Sequence, residues 1–395
     1  MPSYRPLTDD EEGRFRAYTR YAFSPDVDPD ELPDGPRREG DRRGLFPDAG
    51  SRPLSVCAHH WFGADVRGRH LDTPGLSAVA TPPEFRRRGH VRELLAHCLE
   101  EYRERGSHLS LLWPFKHAFY RDLGWERAYR YVAYELDPGA LLGVAERDRG
   151  TMHPADDPPL DDLDAIYRAA TAGLDLAVDR SASWWRHRVL DGWAGEPHLY
   201  VWRDDADDAR GYVVFRIERE GGDRELLVDD LAAGDPEAFR QVWRFLANHD
   251  SQVARIRAHA PADAALLDHL ATRDGVEVTL REGIMARLVD ARRTLSALAY
   301  PEAAAGSVVL GVRDDLVDWH DEPLHLEVAA GGADCEPTDA DPDAVADVAT
   351  LSALAVGARP AGALAAADRL EADPAVVETL EALFPPRRAF CQDFF

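Results

Sequence analysis

Lysine is almost missing from this chain. Lys116 is the single one among 395 residues, and the rest of the positive charge is arginine. With 72 Asp and Glu against 46 Lys and Arg, the formal net charge is −26, spread along the whole length instead of gathered in a tail. Duplex nucleic acid is therefore not expected as a partner, because phosphates need basic patches. A lysine-poor, acid-rich surface suits molar salt, where self-repulsion is screened and the Debye length falls to roughly 3 Å. The acids are then no long-range lure for a cationic substrate. The halophilic reading is preferred; an acidic surface that recruits basic partners at low salt is the other reading.

Cysteine is also scarce. Cys57, Cys98, Cys335 and Cys391 lie far apart with no C-x-x-C pair, which gives neither a zinc signature nor a disulfide framework. Cys98 falls on an apolar helix face and reads as packing. His59-His60 are adjacent in a strand pattern, so they point to opposite faces, and no metal is expected. No apolar run approaches the roughly 18–20 residues that span a bilayer. The start, Met1-Pro2-Ser3-Tyr4-Arg5, has no signal-peptide character. A cytoplasmic protein with no membrane partner is the expectation.

What is present suffices for packed cores: 45% apolar residues and nine tryptophans, in a length that predicts two or three domains. Asp9 to Tyr21 reads as a helix. Strand patterns follow at Leu54 to Phe62, Val66 to Asp72 and Leu76 to Thr81. Val91, Leu94, Leu95, Cys98, Leu99 and Tyr102 repeat at the spacing of one helix face, and Gly106 stops that helix. A short strand at Leu109 to Trp113, a helix at Ala118 to Leu123 and a strand at Tyr129 to Leu136 complete residues 1–140. Residues 150–285 repeat this grammar, with helices at Asp161 to Ala172, around Trp184-Trp185 and at Glu237 to Asn248. Their strands are Leu199 to Trp202, Gly211 to Ile217, Leu226 to Leu231 and Val253 to Ala258. Here Ala232-Ala233-Gly234-Asp235-Pro236 stands where a glycine-rich turn would be, and Met285 to Val289 closes the region. From 286 the texture changes: a helix at Arg292 to Ala299, strands at Val308 to Val312 and Leu324 to Val328, then alanine-rich helices around Ala344-Val345, at Ala361 to Ala367 and at Pro374 to Leu383. Arg387 to Phe395 is an extended tail after Pro385-Pro386.

The segment that carries chemistry is Val79-Ala80-Thr81-Pro82-Pro83-Glu84-Phe85-Arg86-Arg87-Arg88-Gly89-His90-Val91. A strand runs into a turn bearing arginines and a glycine, then into an amphipathic helix. Backbone N–H groups at such a turn and helix start point at an anion, and the helix dipole adds partial positive charge. Gly89 permits close backbone approach. A basic surface turn is the plain alternative.

This segment resembles the acyl-CoA pyrophosphate loop of the GNAT superfamily, Q/R-x-x-G-x-G/A. Arg86 and Gly89 match, and Val91 replaces the usual small residue. The resemblance implies that main-chain atoms of Val79, Ala80 and Thr81 hold pantetheine, and that Arg86, Arg87, Arg88, Gly89, His90 and Val91 form the pyrophosphate site. Phe119 to Glu126 is similar to the family's F-Y-x-x-x-G-[FYW]-E segment, whose tyrosine lies near the thioester sulfur. The whole chain resembles the enhanced-intracellular-survival family of acetyltransferases. The likeness rests on the triple-arginine loop, Arg180 with Trp185, Met285 to Asp290 and the aromatic C-terminus. It implies an α/β (α+β) chain of two tandem GNAT-like mixed-sheet domains and a sterol-carrier-protein-like α+β domain. The expected bounds are 1–140 (acetyl-CoA-binding and catalytic), 150–285 (degenerate) and 286–395, with assembly as a hexamer.

By the same resemblance Tyr120 is the general acid and the terminal carboxylate of Phe395 the general base. An amine is mostly protonated at neutral pH, so a base is needed before it attacks a thioester. A carboxylate with a reference pKa near ~3.5 serves only if its apolar surroundings raise that value or if orientation does most of the work. Phe23, Asp26, Trp61, Glu84 and Asp393 are the candidate acceptor-site residues. The expected function is acetyl transfer from acetyl-CoA to a primary amine in a ternary complex. The alternative is a non-catalytic acyl-CoA- or lipid-binding protein.

Overall fold

The computed structural model describes residues 2–25, 39–47, 52–191 and 197–395. Asp26 lies outside them. The chain divides into two compact units: 1–129 with 284–389 and Phe395, and 130–283 with 390–394.

The first unit contains three sheets, the smallest a two-stranded hairpin of Gly63–Val66 and Arg69–Asp72. The largest has seven strands in the order Ser3–Pro6, Asp41–Phe46, Ser55–His60, Gly75–Ala80, Leu109–Leu112, Met285–Leu288, Glu126–Arg127. Helix His90–Glu104 covers one face through Leu94, Leu95, Cys98, Leu99 and Tyr102, all buried. This is the stripe its apolar period predicts, and Gly106 ends it at φ 84°. Beneath it lies a core of Leu45, Cys57, Leu76, Leu112, Tyr120, Trp125 and Met285. The second sheet has five strands: Gly332–Pro337, Leu324–Ala329, Gly306–Arg313, Ala344–Asp347, Leu370–Ala372.

The second unit is built on a seven-stranded sheet: Thr151–Pro154, His198–Arg203, Ala209–Glu220, Asp223–Ala233, Arg255–Pro261, Arg130–Leu136, Val276–Glu282. Helix Pro236–Leu246 buries Ala238, Val242, Trp243 and Leu246 against it. Arg180 is buried here. It is held by Asp230 at 2.7 Å and by Asp393 at 2.9 Å, with Trp184 Nε1 donating to Asp393 at 2.7 Å. Removing one member of such a set strands a buried charge, at a cost of about 3–5 kcal/mol.

Three sequence expectations are corrected. Tyr129 to Leu136 reads as the last strand of residues 1–140, yet Arg130–Leu136 pairs with Arg255–Pro261 and Val276–Glu282 in the second unit's sheet. Met285–Leu288 reads as the close of the middle region, yet it pairs with Leu109–Leu112 and Glu126–Arg127 in the first. The two sheets have exchanged strands, and hydrophobic alternation specifies a strand without specifying its neighbours. Third, Ala344-Val345 begins a strand instead of a helix. Ala344 to Asp347 pairs in parallel with Leu310 to Arg313, so sheet pairing overrides alanine's helical propensity. The helix starts only at Val348, where Asp347 accepts from the Thr350 N–H as its cap.

No helix among the described residues is long and apolar enough to cross a membrane.

Candidate active site

The site begins with a strand that loses its neighbour. Gly75–Ala80 is antiparallel to Ser55–His60 on one edge. On the other it meets Leu109–Leu112 in parallel at one rung, Gly75 opposite Leu111, backed by Leu111 N–H donating to Pro74 O at 2.9 Å. Beyond that rung no strand pairs with this edge among the described residues. Ala78 sits at φ 52°, next to a register shift opposite Val56 and Ala58, the signature of a bulge that bends the strand. Backbone groups of Leu76 to Thr81 are thereby left for an extended ligand to pair with.

The strand leads straight to the loop. Arg86 folds back, its Nε donating to Thr81 O at 2.9 Å and its guanidinium lying 5.6 Å from the Tyr21 ring. Arg86, Arg87 and Arg88 are exposed. Arg87 at φ 58° and Gly89 at φ 84° are both left-handed, which closes the turn tightly. Gly89 is the N-cap of the 15-residue helix His90–Glu104, and no side chain caps it. The first-turn N–H groups therefore lack a side-chain acceptor, and the positive end of the dipole adds to the arginines. Val91, the departure from the family pattern, packs against the core cluster. The turn thus combines open helix-start N–H groups with three exposed arginines.

Tyr120 belongs to the same cluster as Leu76 and Leu112, the residues just past the last paired rung. Phe115, Phe119 and Trp125 surround its ring with centroids 5.1–6.2 Å away. Its hydroxyl makes no hydrogen bond to any described residue. Burial, reinforced by nearby Cys57, pushes the phenol above its ordinary value, so it stays protonated at neutral pH and keeps a proton to give.

Phe395 is 5% exposed. Its ring packs 5.1 Å from Phe62 and 5.8 Å from His60. A Cβ on Gly75 would meet it at 2.7 Å, so glycine is required where the strands part. His60, whose Nε2 is 2.8 Å from Ser77 Oγ, and Ser77 itself were missed by sequence reasoning. The two histidines do face apart, as alternation predicts: His59 contacts Tyr102, while His60 contacts Phe395.

Of the candidate acceptor residues, Phe23, Trp61 and Glu84 belong to the first unit and Asp393 to the second. Phe23 is 54% exposed at the end of helix Glu12–Phe23. Trp61 donates to Asp41 at 2.8 Å and lies under the Arg105 guanidinium at 3.9 Å. Glu84 is exposed and paired with Arg52. Asp393 is buried in the second unit on Arg180, and burial raises its carboxyl even beside that charge.

Comparison with known proteins decides the class. Residues 3–128 and 176–288 each match a model described as acetyltransferase (GNAT) domain, and residues 291–392 match a sterol carrier protein domain. It is a GNAT-type N-acetyltransferase. The acetyltransferase is 26% identical over 314 residues to an uncharacterized N-acetyltransferase of Streptomyces coelicolor, covering 77% of this chain and 76% of that one. It is 28% identical over 336 residues to the N-acetyltransferase Eis of Mycobacterium tuberculosis, covering 80% and 78%. Its fold matches the crystal structure of a GCN5-related N-acetyltransferase from Anabaena variabilis over 100% of both chains, with a TM-score of 0.84 at 21% identity. The acetyltransferase is thus Eis-like in its arrangement, with two GNAT domains followed by a sterol-carrier-like domain.

Proposed function

We propose that the enzyme moves an acetyl group from acetyl-CoA to a primary amine by direct attack in a ternary complex. The observation that carries this reading is the continuous run from a splayed strand edge to an uncapped, arginine-flanked helix N-terminus, with a protonated phenol beside the point of splay. Main-chain groups of Val79, Ala80 and Thr81 pair with the pantetheine arm as an added strand would. N–H groups from Arg87 through Val91, with the side chains of Arg86 and its neighbours, hold the pyrophosphate. The amine attacks the thioester carbonyl, the carbon–sulfur bond breaks, and the Tyr120 hydroxyl protonates the departing thiolate. The proton lost by the amine goes to the α-carboxylate of Phe395, whose ring is seated at Gly75 where the strands part.

Phe23, Trp61 and Glu84 remain acceptor contacts in this proposal, with Asp26 in a segment that is not described. Asp393 is engaged with Arg180 inside the second unit. Homo-oligomer formation, as the hexamer that the resemblance implies, is part of the same reading and is measured by light scattering. The alternative is a non-catalytic acyl-CoA- or lipid-binding protein; one cavity in the sterol-carrier-like region, among Leu310, Ala346, Leu354 and Leu380, has a volume near 10 Å³, room for about one water.

The test is release of CoA thiol from acetyl-CoA in molar KCl across a panel of amines, with the intact chain and with Phe395 deleted. Turnover that collapses on deletion while acetyl-CoA still binds supports the terminal base. Unchanged turnover removes Phe395 from the chemistry. Tight acetyl-CoA binding with no turnover on any amine overturns the amine-acceptor reading.

A further inference from the structure

Two of the four cysteines meet a histidine inside the first unit. Cys57 and His59 stand two apart on strand Ser55–His60, so their side chains share a face. Cys98 comes from helix His90–Glu104, which packs on that face. Cys57 Sγ lies 3.6 Å from Cys98 Sγ and 3.9 Å from His59 Nε2. The three ligand atoms all fall within 4.8 Å of one another. Each of the three residues is 0% exposed. None of them has a part in the acetyl transfer proposed above.

We propose that Cys57, His59 and Cys98 are the protein ligands of a closed site for a thiophilic divalent cation, zinc by its donor set. The spacing is the first argument. Metal–sulfur bonds of about 2.3 Å and metal–nitrogen bonds of about 2.0–2.1 Å at tetrahedral angles put ligand atoms roughly 3.4–3.8 Å apart. Two of the three separations, 3.6 and 3.9 Å, are already close to that and the third lies within 4.8 Å, so binding needs shifts of at most about an ångström.

The surroundings are the second argument. A ligating histidine normally has its other ring nitrogen fixed by a hydrogen bond, and His59 Nδ1 is bonded to the Tyr102 hydroxyl. Beside the three ligands stands a carboxylate, Glu101, whose Oε2 lies 3.9 Å from His59 Nε2. That carboxylate is held by Arg43 at 2.6 Å and by the Tyr4 hydroxyl, which donates to it at 2.7 Å. Two thiolates and a dication sum to zero, and the neighbouring Glu101 carboxylate is already offset by the buried Arg43 guanidinium. Packing alone would explain two buried thiols, since free cysteine behaves as a small hydrophobe. It gives no reason for an imidazole, a phenol pair and a paired carboxylate to close the same shell.

On binding, the cation takes the place of the two thiol protons, which leave to solvent, and displaces the Tyr4 hydroxyl from His59 Nε2. The imidazole ligates in its neutral form with its proton on Nδ1 toward Tyr102, and affinity rises with pH through the two thiols. With all three ligands 0% exposed, the site is closed and structural. It ties the helix that begins at the anion loop to the strand beside Gly75–Ala80, because Ala58 pairs with Ser77 and His59 with Leu76.

The experiment uses the full chain, purified without a histidine tag, reduced, stripped by a chelator and reloaded with cobalt(II). The expected result is stoichiometric uptake, with thiolate-to-cobalt charge-transfer bands in the near ultraviolet and the strong visible bands of four-coordinate cobalt. Zinc should abolish both. Cys98→Ser should roughly halve the charge-transfer intensity, and His59→Gln should retain it while altering the visible bands. If the variants do not fold, the intact chain decides alone, by metal content in its native mass spectrum and by zinc release as two thiols are titrated. A folded, reduced chain that takes up cobalt without charge-transfer bands, or takes up none, overturns the site. So does a Cys57–Cys98 disulfide in the metal-free protein that persists in the reducing conditions of growth.

Discussion

The two GNAT sheets carry the same feature to opposite ends. In each, a long strand is paired in parallel over only its first residues: Gly75 with Leu111 in one, Glu225 to Leu227 with Arg255 to Arg257 in the other. In each, the strand then turns into a helix that covers the sheet. The difference lies at the helix start. Gly89 offers no side chain and leaves the first-turn N–H groups open. Asp235 closes its own turn, with Oδ1 accepting from Glu237 N at 2.8 Å and Ala238 N at 3.1 Å, and Arg210 pairs with its other oxygen at 2.8 Å. A carboxylate sits where the first sheet leaves its helix start uncapped. The fold supplies a strand-to-helix turn in both copies, and in the second a side-chain carboxylate occupies the helix start.

The largest effect is expected at Tyr120, which has no counterpart to test in the second sheet. Tyr120→Phe should lower kcat by about 10²–10⁴-fold while acetyl-CoA affinity, by calorimetry, stays within a factor of two or so. Because burial raises the phenol, the wild-type rate should show no alkaline fall from this group until well above its ordinary value near ~10. A fall centred near neutrality that vanishes in the variant would contradict the assignment.

Next in size is a substitution that writes the second copy's solution into the first. Gly89→Asp places a carboxylate at the open N-cap, and Asp is among the side chains that best tolerate a left-handed backbone. Acetyl-CoA affinity should drop on the order of 100-fold, the loss of one or two charge-assisted hydrogen bonds. Gly89→Asn, alike in shape and neutral, separates charge from size and should lose less. Equal losses in the two variants would mean that steric closure, and not the carboxylate, silences such a turn.

Much of this contrast could be read before any coordinates. The loop from Val79 to Val91 and the stripe from Val91 to Tyr102 both follow from residue type and period, and the absence of a glycine-rich turn at Ala232 to Pro236 was visible. What Asp235 does with its carboxylate was not, because a cap is recognised only when the helix start is known to the residue. Strand exchange was also hidden: Arg130–Leu136 and Met285–Leu288 alternate as strands do, and nothing in alternation names the sheet they join. Ala344 to Asp347 misled through composition, since alanine favours a helix until a neighbouring strand claims it. The meeting of Cys57, His59 and Cys98 depends on how a helix docks on a strand 41 residues away, although the i, i+2 spacing of Cys57 and His59 was a signal available in the sequence.

The smallest effect is the reverse experiment. Asp235→Ala removes two capping bonds, which should cost about 1 kcal/mol and lower the melting temperature by roughly 2–4 °C. It should not create a second acetyl-CoA site. Pro236 occupies the first helical position and has no N–H to offer, so the turn stays one donor short even with its carboxylate gone. The arginines that flank Gly89 also have no match in Ala232-Ala233-Gly234. Binding stoichiometry from calorimetry decides the matter. If Asp235→Ala binds a second equivalent, a single carboxylate is the whole difference between the two copies. If it does not, the second copy lost its ligand by at least three separate changes, and the carboxylate is a cap that filled a cradle already closed.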